Sequence, residues 1–483
     1  MENSWQRKDW IVALLLGLLP FAIYSSVFGY KYGMLDDYSL LKTMAVNPAW
    51  NWEFAAGSAR PIYAWLRAVS FGTINGIESL VWLRFLSVAG LGILAAGFYS
   101  TLRGQRVPIT AAATMAVLSM GIPGAQVYAA WAVTWPFAWI TALSLLAYWV
   151  LSSGWQKLAS VPIAVFLLIV AGLTYQSNAF FFLVPLLAAT LFSEETTRQT
   201  INRWILHLCV LGGAMVLAYI LARLVLVVTD TDSYGRTAFT TDPIGKLQAW
   251  LQGYWPKALN IWSMQNYNGS GKLHFYGLAL LAALLIAVGV LRSPQRWRWI
   301  ASLAVAIFAV NALVLVIEEN YASYRLIYVF SMVLMVALVA TLYQISKSPT
   351  WQLGFCALLI ASTLITAAIR THNLIAKPQA MELQRMQALL QTPYADGVRS
   401  VEIIRPGMEE SFAPYVTTNE FGLPSSHTNY AAEAMPWLIW HAWDGSDIRK
   451  VNAGNDLAWK VQSRAAEDSA QERSEVTIYM RKR

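Results

Sequence analysis

Apolar and polar positions fall along this chain in long blocks rather than in short amphipathic alternation. Runs of about 20 mostly apolar residues, the length that crosses a bilayer as a helix, recur at roughly 10–30, 80–101, 108–127, 131–151, 157–173, 175–192, 203–228, 273–291, 298–317, 324–345 and 352–371. They predict about eleven transmembrane helices. The blocks stop near residue 372. Beyond it, "MELQRMQALLQ" (381–391) has helical spacing, while "VRSVEII" (398–404) and "SEVTIYM" (474–480) alternate as strands do. The expected architecture is an α-helical polytopic membrane part over 1–372, with long loops 31–79 and 229–272, followed by a small α/β domain over 373–483.

Composition agrees with that reading. The 483 residues are 57% hydrophobic and 13% charged, about half the charged share of a soluble domain. The 22 Trp and 22 Tyr suit a chain with two lipid–water interfaces. The net charge of +8 does not point to nucleic acid, because the basic residues are scattered among apolar runs and form no stripe. Cys209 and Cys356 lie inside apolar runs without metal-ligand or redox spacing. The first apolar run is too long for a cleavable signal and is followed by further spans.

Charge also sets an expected orientation. With the N-terminus cytoplasmic, one set of connections carries Arg7 and Lys8, Arg103 and Arg106, Lys157, Arg198 and Arg203, "RSPQRWR" (292–298) and Lys347. The short connections near 121–130 and 174–178 carry no Lys or Arg. This is the bias of cytoplasmic loops. An odd number of spans then puts the C-terminal domain outside.

In that orientation two acidic pairs mark the outer face. Asp36 and Asp37, in "MLDDYSLL", follow the first span, and Glu318 and Glu319 follow the ninth. Carboxylates at membrane depth are costly and need partners or water. Arg60, Arg84 and Arg325 are near in the pattern. Carboxylates with guanidiniums suit acid–base work beside an anion, since arginine grips phosphate with two parallel hydrogen bonds. Either pair also fits a solvated helix end. "NPAWNWEF" (47–54) and "ARPIYAWL" (59–66) read as interfacial segments, and so does the Trp-rich stretch 242–262. Lys272 and His274 follow in "NYNGSGKLHFYG", whose glycines do not match a P-loop. Further polar points are Tyr175, Gln176 and Asn178 at an outer junction, and Arg223 near the outer end of the seventh span. Zinc-hydrolase and serine-hydrolase motifs are absent.

The acid pair Asp36-Asp37, the Arg60-Pro61 step and the Tyr175-Gln176 pair together resemble the GT-C superfamily of membrane glycosyltransferases, and within it the O-antigen glucosyltransferases of serotype conversion. The resemblance covers the N-terminal half; where the family usually has Gly before Arg-Pro, this chain has Ala59. It implies transfer of a sugar from a polyprenyl-phosphate donor to a glycan, lipid or protein acceptor, at the outer face of the bacterial cytoplasmic membrane. Asp36 or Asp37 is then the general base, the other acid positioning acceptor or a divalent cation; no cofactor is otherwise implied. Arg60, Arg325 or Lys272 meets the departing phosphate. Tyr175, Gln176, Arg223, His274, Glu318 and Glu319 are candidate substrate contacts, and Glu53 is a reserve acid. An O-antigen polymerase or ligase and a transporter or flippase of lipid-linked sugars are the competing readings. The first relies more on arginines and histidines, and this chain has five His. The second often shows internal repeats, which this sequence lacks.

Overall fold

The computed structural model describes residues 7–153, 157–234, 238–395, 400–443, 458–462 and 476–479. Within them the chain is a multi-pass helical membrane protein. Seven helices are long and apolar enough to cross a bilayer: Ile77–Gly104, Ala132–Ser152, Ala159–Phe192, Thr197–Val228, Lys272–Arg292, Tyr328–Ile345 and Pro349–Ala395. An eighth is a broken pair, Ile109–Gly121 and Pro123–Ala130, bent by 51°.

The count is smaller than the eleven expected from apolar runs, for local reasons. The first run forms only the 17-residue helix Arg7–Ile23, then breaks at Tyr24 and Ser25. The run at 298–317 is interrupted at Asn311, between Arg296–Val310 and Ala312–Val316. The runs at 157–173 and 175–192 are two helical segments that meet directly at Tyr175, whose non-helical angles (φ −155, ψ 100) kink the chain there. At 108–127, Pro123 starts a new helix in a new direction. Hydropathy records how much apolar chain there is; it does not record where the backbone breaks.

Among the described residues the two long loops carry several helices. Residues 31–79 fold into Asp36–Val46, Pro48–Gly57 and Pro61–Thr73, the last two each opening on a proline at the first turn, where its missing N–H costs nothing. In the other loop Asp242 caps the helix Pro243–Ala249 by accepting from Gly245 N at 2.8 Å. Lys246 and Lys257 of this segment donate to the carbonyls of Glu319 and Ala322, at 2.5 and 2.8 Å, and so hold the loop before Arg325.

No break in the helix separates the apolar part from the polar tail. Pro349–Arg370 continues through a wide turn, Thr371–Ala376, into Lys377–Ala395, so residue 372 lies inside one continuous rod. The tail adds the helix Asn429–Trp443 and a three-stranded parallel sheet in the order β2-β1-β3, with β1 Ser400–Ile404, β2 Ala458–Gln462 and β3 Val476–Tyr479. Residues 398–399, 474–475 and 480 of the expected strands lie outside the described residues.

Candidate active site

Asp36 and Asp37 open the helix Asp36–Val46. Neighbours on a helix point about 100° apart, and the two acids separate accordingly. Asp37 turns inward and is fully buried. Its Oδ1 accepts from Val133 N at 2.8 Å, and its Oδ2 from Met34 N at 3.0 Å and Ala132 N at 3.3 Å. It staples the start of the helix to the turn at 132–134. Burial pushes its pKa up to about 7, against the pull of Arg84 and of the Val133 and Met34 N–H groups. Arg84 itself is spent on the carbonyls of Val27 and Tyr32, at 3.0 and 2.9 Å. Asp36, partly exposed, faces the other way into a cavity.

That cavity measures about 520 Å³, within the usual range of small-molecule pockets. Its charged lining is Asp36, Glu319, Arg60, Arg67 and Arg325; Trp131, Phe137, Tyr63, Tyr175 and Tyr321 give it aromatic walls. It lies at the same end of the bundle as Arg84. The 25-residue helix Leu80–Gly104, about 37 Å long, carries Arg84 near that end and Arg103 at the other, where Arg103 pairs with Asp9 at 3.0 Å.

Arg60 is set by the kink at Tyr175. Gln176 accepts from Arg60 Nε at 3.1 Å and donates to the Ala59 carbonyl at 2.8 Å. The Arg60 guanidinium lies 4.8 Å from the Tyr175 ring, which in turn stacks on Phe137 at 3.9 Å. Ala59 has φ 59, a left-handed conformation that glycine adopts freely and alanine does not. The turn is therefore kept in a strained shape by its hydrogen bonds.

Arg325 is set from the polar tail. Glu420, fully buried, lies 3.6 Å from Arg325 Nε and also accepts from Tyr324 N at 2.6 Å. Burial raises the Glu420 pKa against the pull of Arg325. For Arg325, burial lowers the pKa, and Glu420 together with Tyr175, Tyr321 and Asp36 more than offsets this, so the guanidinium keeps its proton. The guanidinium stacks 4.3 Å from the Trp131 ring. The same tail reaches the acid. Ser425 Oγ accepts from Leu35 N at 2.8 Å, the residue before Asp36, which is also left-handed at φ 45. The Tyr430 hydroxyl, its pKa raised first by burial, donates to Asp36.

The structure thus brings Asp36, Arg60, Tyr175, Glu319 and Arg325 to one cavity, with Gln176 behind Arg60 and Asp37 behind Asp36. It does not bring the other named residues there. Lys272 and His274 are exposed on the first turn of a long apolar helix. Glu53 and Glu318 are exposed, and the Glu318 N–H is spent on the Ala238 carbonyl. Arg223 is exposed and folds over its neighbour Tyr219, donating to its hydroxyl at 3.1 Å. Among the described residues no three His, Cys, Asp or Glu side chains converge as metal ligands.

Sequence reading named neither Glu420 behind Arg325 nor Tyr430 and Arg67 in the cavity lining. Glu420 and Tyr430 sit in a polar tail with no periodic signal. Arg67 did leave one, seven residues after Arg60 and so on the same helical face.

No family model and no curated protein sequence matches the chain. Solved structures similar to it include two of an archaeal oligosaccharyltransferase. One is the Archaeoglobus fulgidus oligosaccharyltransferase tethered through a disulfide bond to an acceptor peptide containing the NVT sequon. It has a TM-score of 0.44 and 16% identity, over 83% of this chain and 62% of that one. The other is the archaeal oligosaccharyltransferase AglB from Archaeoglobus fulgidus in complex with an inhibitory peptide and a dolichol-phosphate. It has a TM-score of 0.40 and 13% identity, over 82% of this chain and 62% of that one. Both likenesses are loose, and this chain spans less than two thirds of the length of either structure.

Proposed function

We propose that this chain is a membrane glycosyltransferase that moves a sugar from a polyprenyl-phosphate donor to a glycan, lipid or protein acceptor at the outer face of a bacterial cytoplasmic membrane. One observation carries the reading: a single cavity holds a solvent-reachable carboxylate, Asp36, together with Arg60 and Arg325, each fixed by its own partner.

The chemistry follows from those groups. The acceptor hydroxyl attacks the anomeric carbon and passes its proton to Asp36. The new bond forms from acceptor oxygen to anomeric carbon. The bond from that carbon to the phosphate oxygen breaks, and its electrons leave on the carrier phosphate. Arg60 and Arg325 stabilise that growing charge. Asp37 keeps the first turn of the helix in place and takes no part in proton transfer. A single displacement inverts the anomeric centre. The presence of Glu319 in the same cavity also admits a covalent glycosyl-carboxylate and retention. The loop charge bias supports an outward site and an outward tail; a C-terminal reporter active only in the cytoplasm should stay silent in the full-length protein.

The test is to give the purified chain radiolabelled polyprenyl-phosphate sugars with lipid-extracted envelope glycans as acceptor. Labelled glycan and free polyprenyl phosphate in equal amounts are expected, and the product's anomer separates the two mechanisms. Movement of intact lipid-linked sugar between leaflets without cleavage would instead make the protein a transporter.

A further inference from the structure

Four arginines are nine-tenths or more buried among the described residues: Arg67 at 5% exposure, Arg84 at 0%, Arg298 at 7% and Arg370 at 5%. Three of them are structural by their bonds. Arg84 donates to the carbonyls of Val27 and Tyr32. Arg298 donates to those of Thr190, Ser193 and Glu195. Arg370 donates to that of Ile261 at 2.6 Å. Arg67 differs from them. Among the described residues its guanidinium has no hydrogen-bond acceptor and no carboxylate within ion-pair distance, and its buried Nε is without a partner. It is held only by ring faces, with Tyr63 at 5.4 Å and Phe54 at 5.8 Å from its central carbon. It also lines the cavity of Asp36, Arg60 and Arg325.

Leaving a buried guanidinium without an anion is costly. Aromatic faces recover only about 0.5–2 kcal/mol of that. The fork is thus shaped and placed for a guest that brings its own negative charge. That guest is not the phosphate already assigned to Arg60 and Arg325. Arg60 and Arg67 stand seven residues apart at the start and middle of one helix, about 10 Å along its axis, and they rest on different rings. The same cavity lining holds Ser39 and Thr43, two hydroxyls able to hydrogen-bond an oxyanion.

We propose that Arg67 grips a second oxyanion in this cavity, separate from the phosphate held by Arg60 and Arg325. The chemistry is that of a phosphate or carboxylate with two oxygens for the guanidinium fork. Two sources supply it: the second phosphate of a diphosphate-linked carrier, or an acidic group on the acceptor. The inference rests on the glycosyltransferase reading for its sources, but not for the anion itself.

The test is equilibrium binding to the full chain in lipid nanodiscs. The probes are inorganic pyrophosphate, polyprenyl phosphate, polyprenyl diphosphate, and a uronic-acid-terminated oligosaccharide beside its neutral counterpart. Arg67→Gln should weaken inorganic pyrophosphate at least about tenfold and polyprenyl phosphate less than about threefold. A selective loss on polyprenyl diphosphate assigns the second anion to the carrier. A loss of preference for the uronic over the neutral oligosaccharide assigns it to the acceptor. Arg67→Lys keeps the charge and loses the fork, so it should fall between the two and serves if the glutamine variant does not fold. If folded variants bind pyrophosphate, polyprenyl diphosphate and the uronic oligosaccharide as the wild type does, the proposal is overturned. If pyrophosphate binding depends on Arg67 while neither polyprenyl compound binds the wild type, the oxyanion grip stands and the lipid-donor reading falls.

Discussion

Replacing the two adjacent acids one at a time separates chemistry from folding. Asp37→Asn puts an amide where three backbone N–H groups, from Met34, Ala132 and Val133, converge on a carboxylate. In either amide orientation an NH2 faces at least one of those donors. Leaving one buried donor unsatisfied costs roughly 1–3 kcal/mol. Burial, which pushes Asp37 up to about 7, favours the neutral side chain and works against that loss. The net expectation is a destabilisation of about 1–2 kcal/mol at pH 8, near the low end of the unsatisfied-donor range. Turnover per folded molecule should stay within about threefold, because Asp37 does not line the cavity. Asp36→Asn should do the opposite. Its side chain faces the cavity, so stability should change little, while transfer falls at least about a hundredfold if it is the general base. The assay is sugar transfer normalised to folded protein, beside thermal unfolding in nanodiscs. The reasoning fails if Asp37→Asn abolishes transfer in a fully stable protein while Asp36→Asn is active.

Other expectations follow from the same contacts. Asp37 has a folded pKa of about 7 against an ordinary 3.8, so the folded state holds its proton more tightly than the unfolded one. Its stabilising contribution is full below about pH 4 and is lost as pH rises to 7; comparing unfolding of wild type and Asp37→Asn across that window should reveal this slope in the wild type alone. Glu420→Gln should weaken donor binding several-fold and cut turnover roughly ten- to a hundredfold by letting Arg325 drift, and equal binding and turnover in both proteins would rule out a positioning role for Glu420. Gln176→Ala frees Arg60 Nε and the Ala59 carbonyl, so donor affinity should fall by about 1 kcal/mol, measured as a several-fold rise in Kd for polyprenyl phosphate. Ala59→Gly relieves a left-handed alanine and should raise stability by up to about 1 kcal/mol in thermal unfolding.

Much of the cavity was legible where charge interrupts apolar sequence. Tyr175 and Arg325 stand at the edges of apolar runs, Asp36 and Arg60 in the loop after the first run, and all four line the same space. The opposite orientations of Asp36 and Asp37 followed from helical geometry once the helix was known to begin at Asp36. Span number was less legible, since the first apolar run breaks at Tyr24 and Ser25, and Asn311 divides a run that a hydropathy window joins. Lys272 and His274 had the right residue types but sit on an exposed first turn. Glu420 was out of reach, because its meaning comes from a contact 95 residues away in sequence, with Arg325. A polar tail with no period gives no sign of which of its acids is buried.

We propose that the donor phosphate sits in this cavity between Arg60 and Arg325. An experimental structure of the chain in nanodiscs with polyprenyl phosphate tests it most directly. Phosphate density is expected within hydrogen-bond reach of both guanidiniums, on the Asp36 side of the bundle, and should be lost in the Arg60→Ala, Arg325→Ala double variant. Phosphate density bound instead at the opposite end, in the cleft between residues 194–197 and 291–298, with the Asp36 cavity empty, would contradict it.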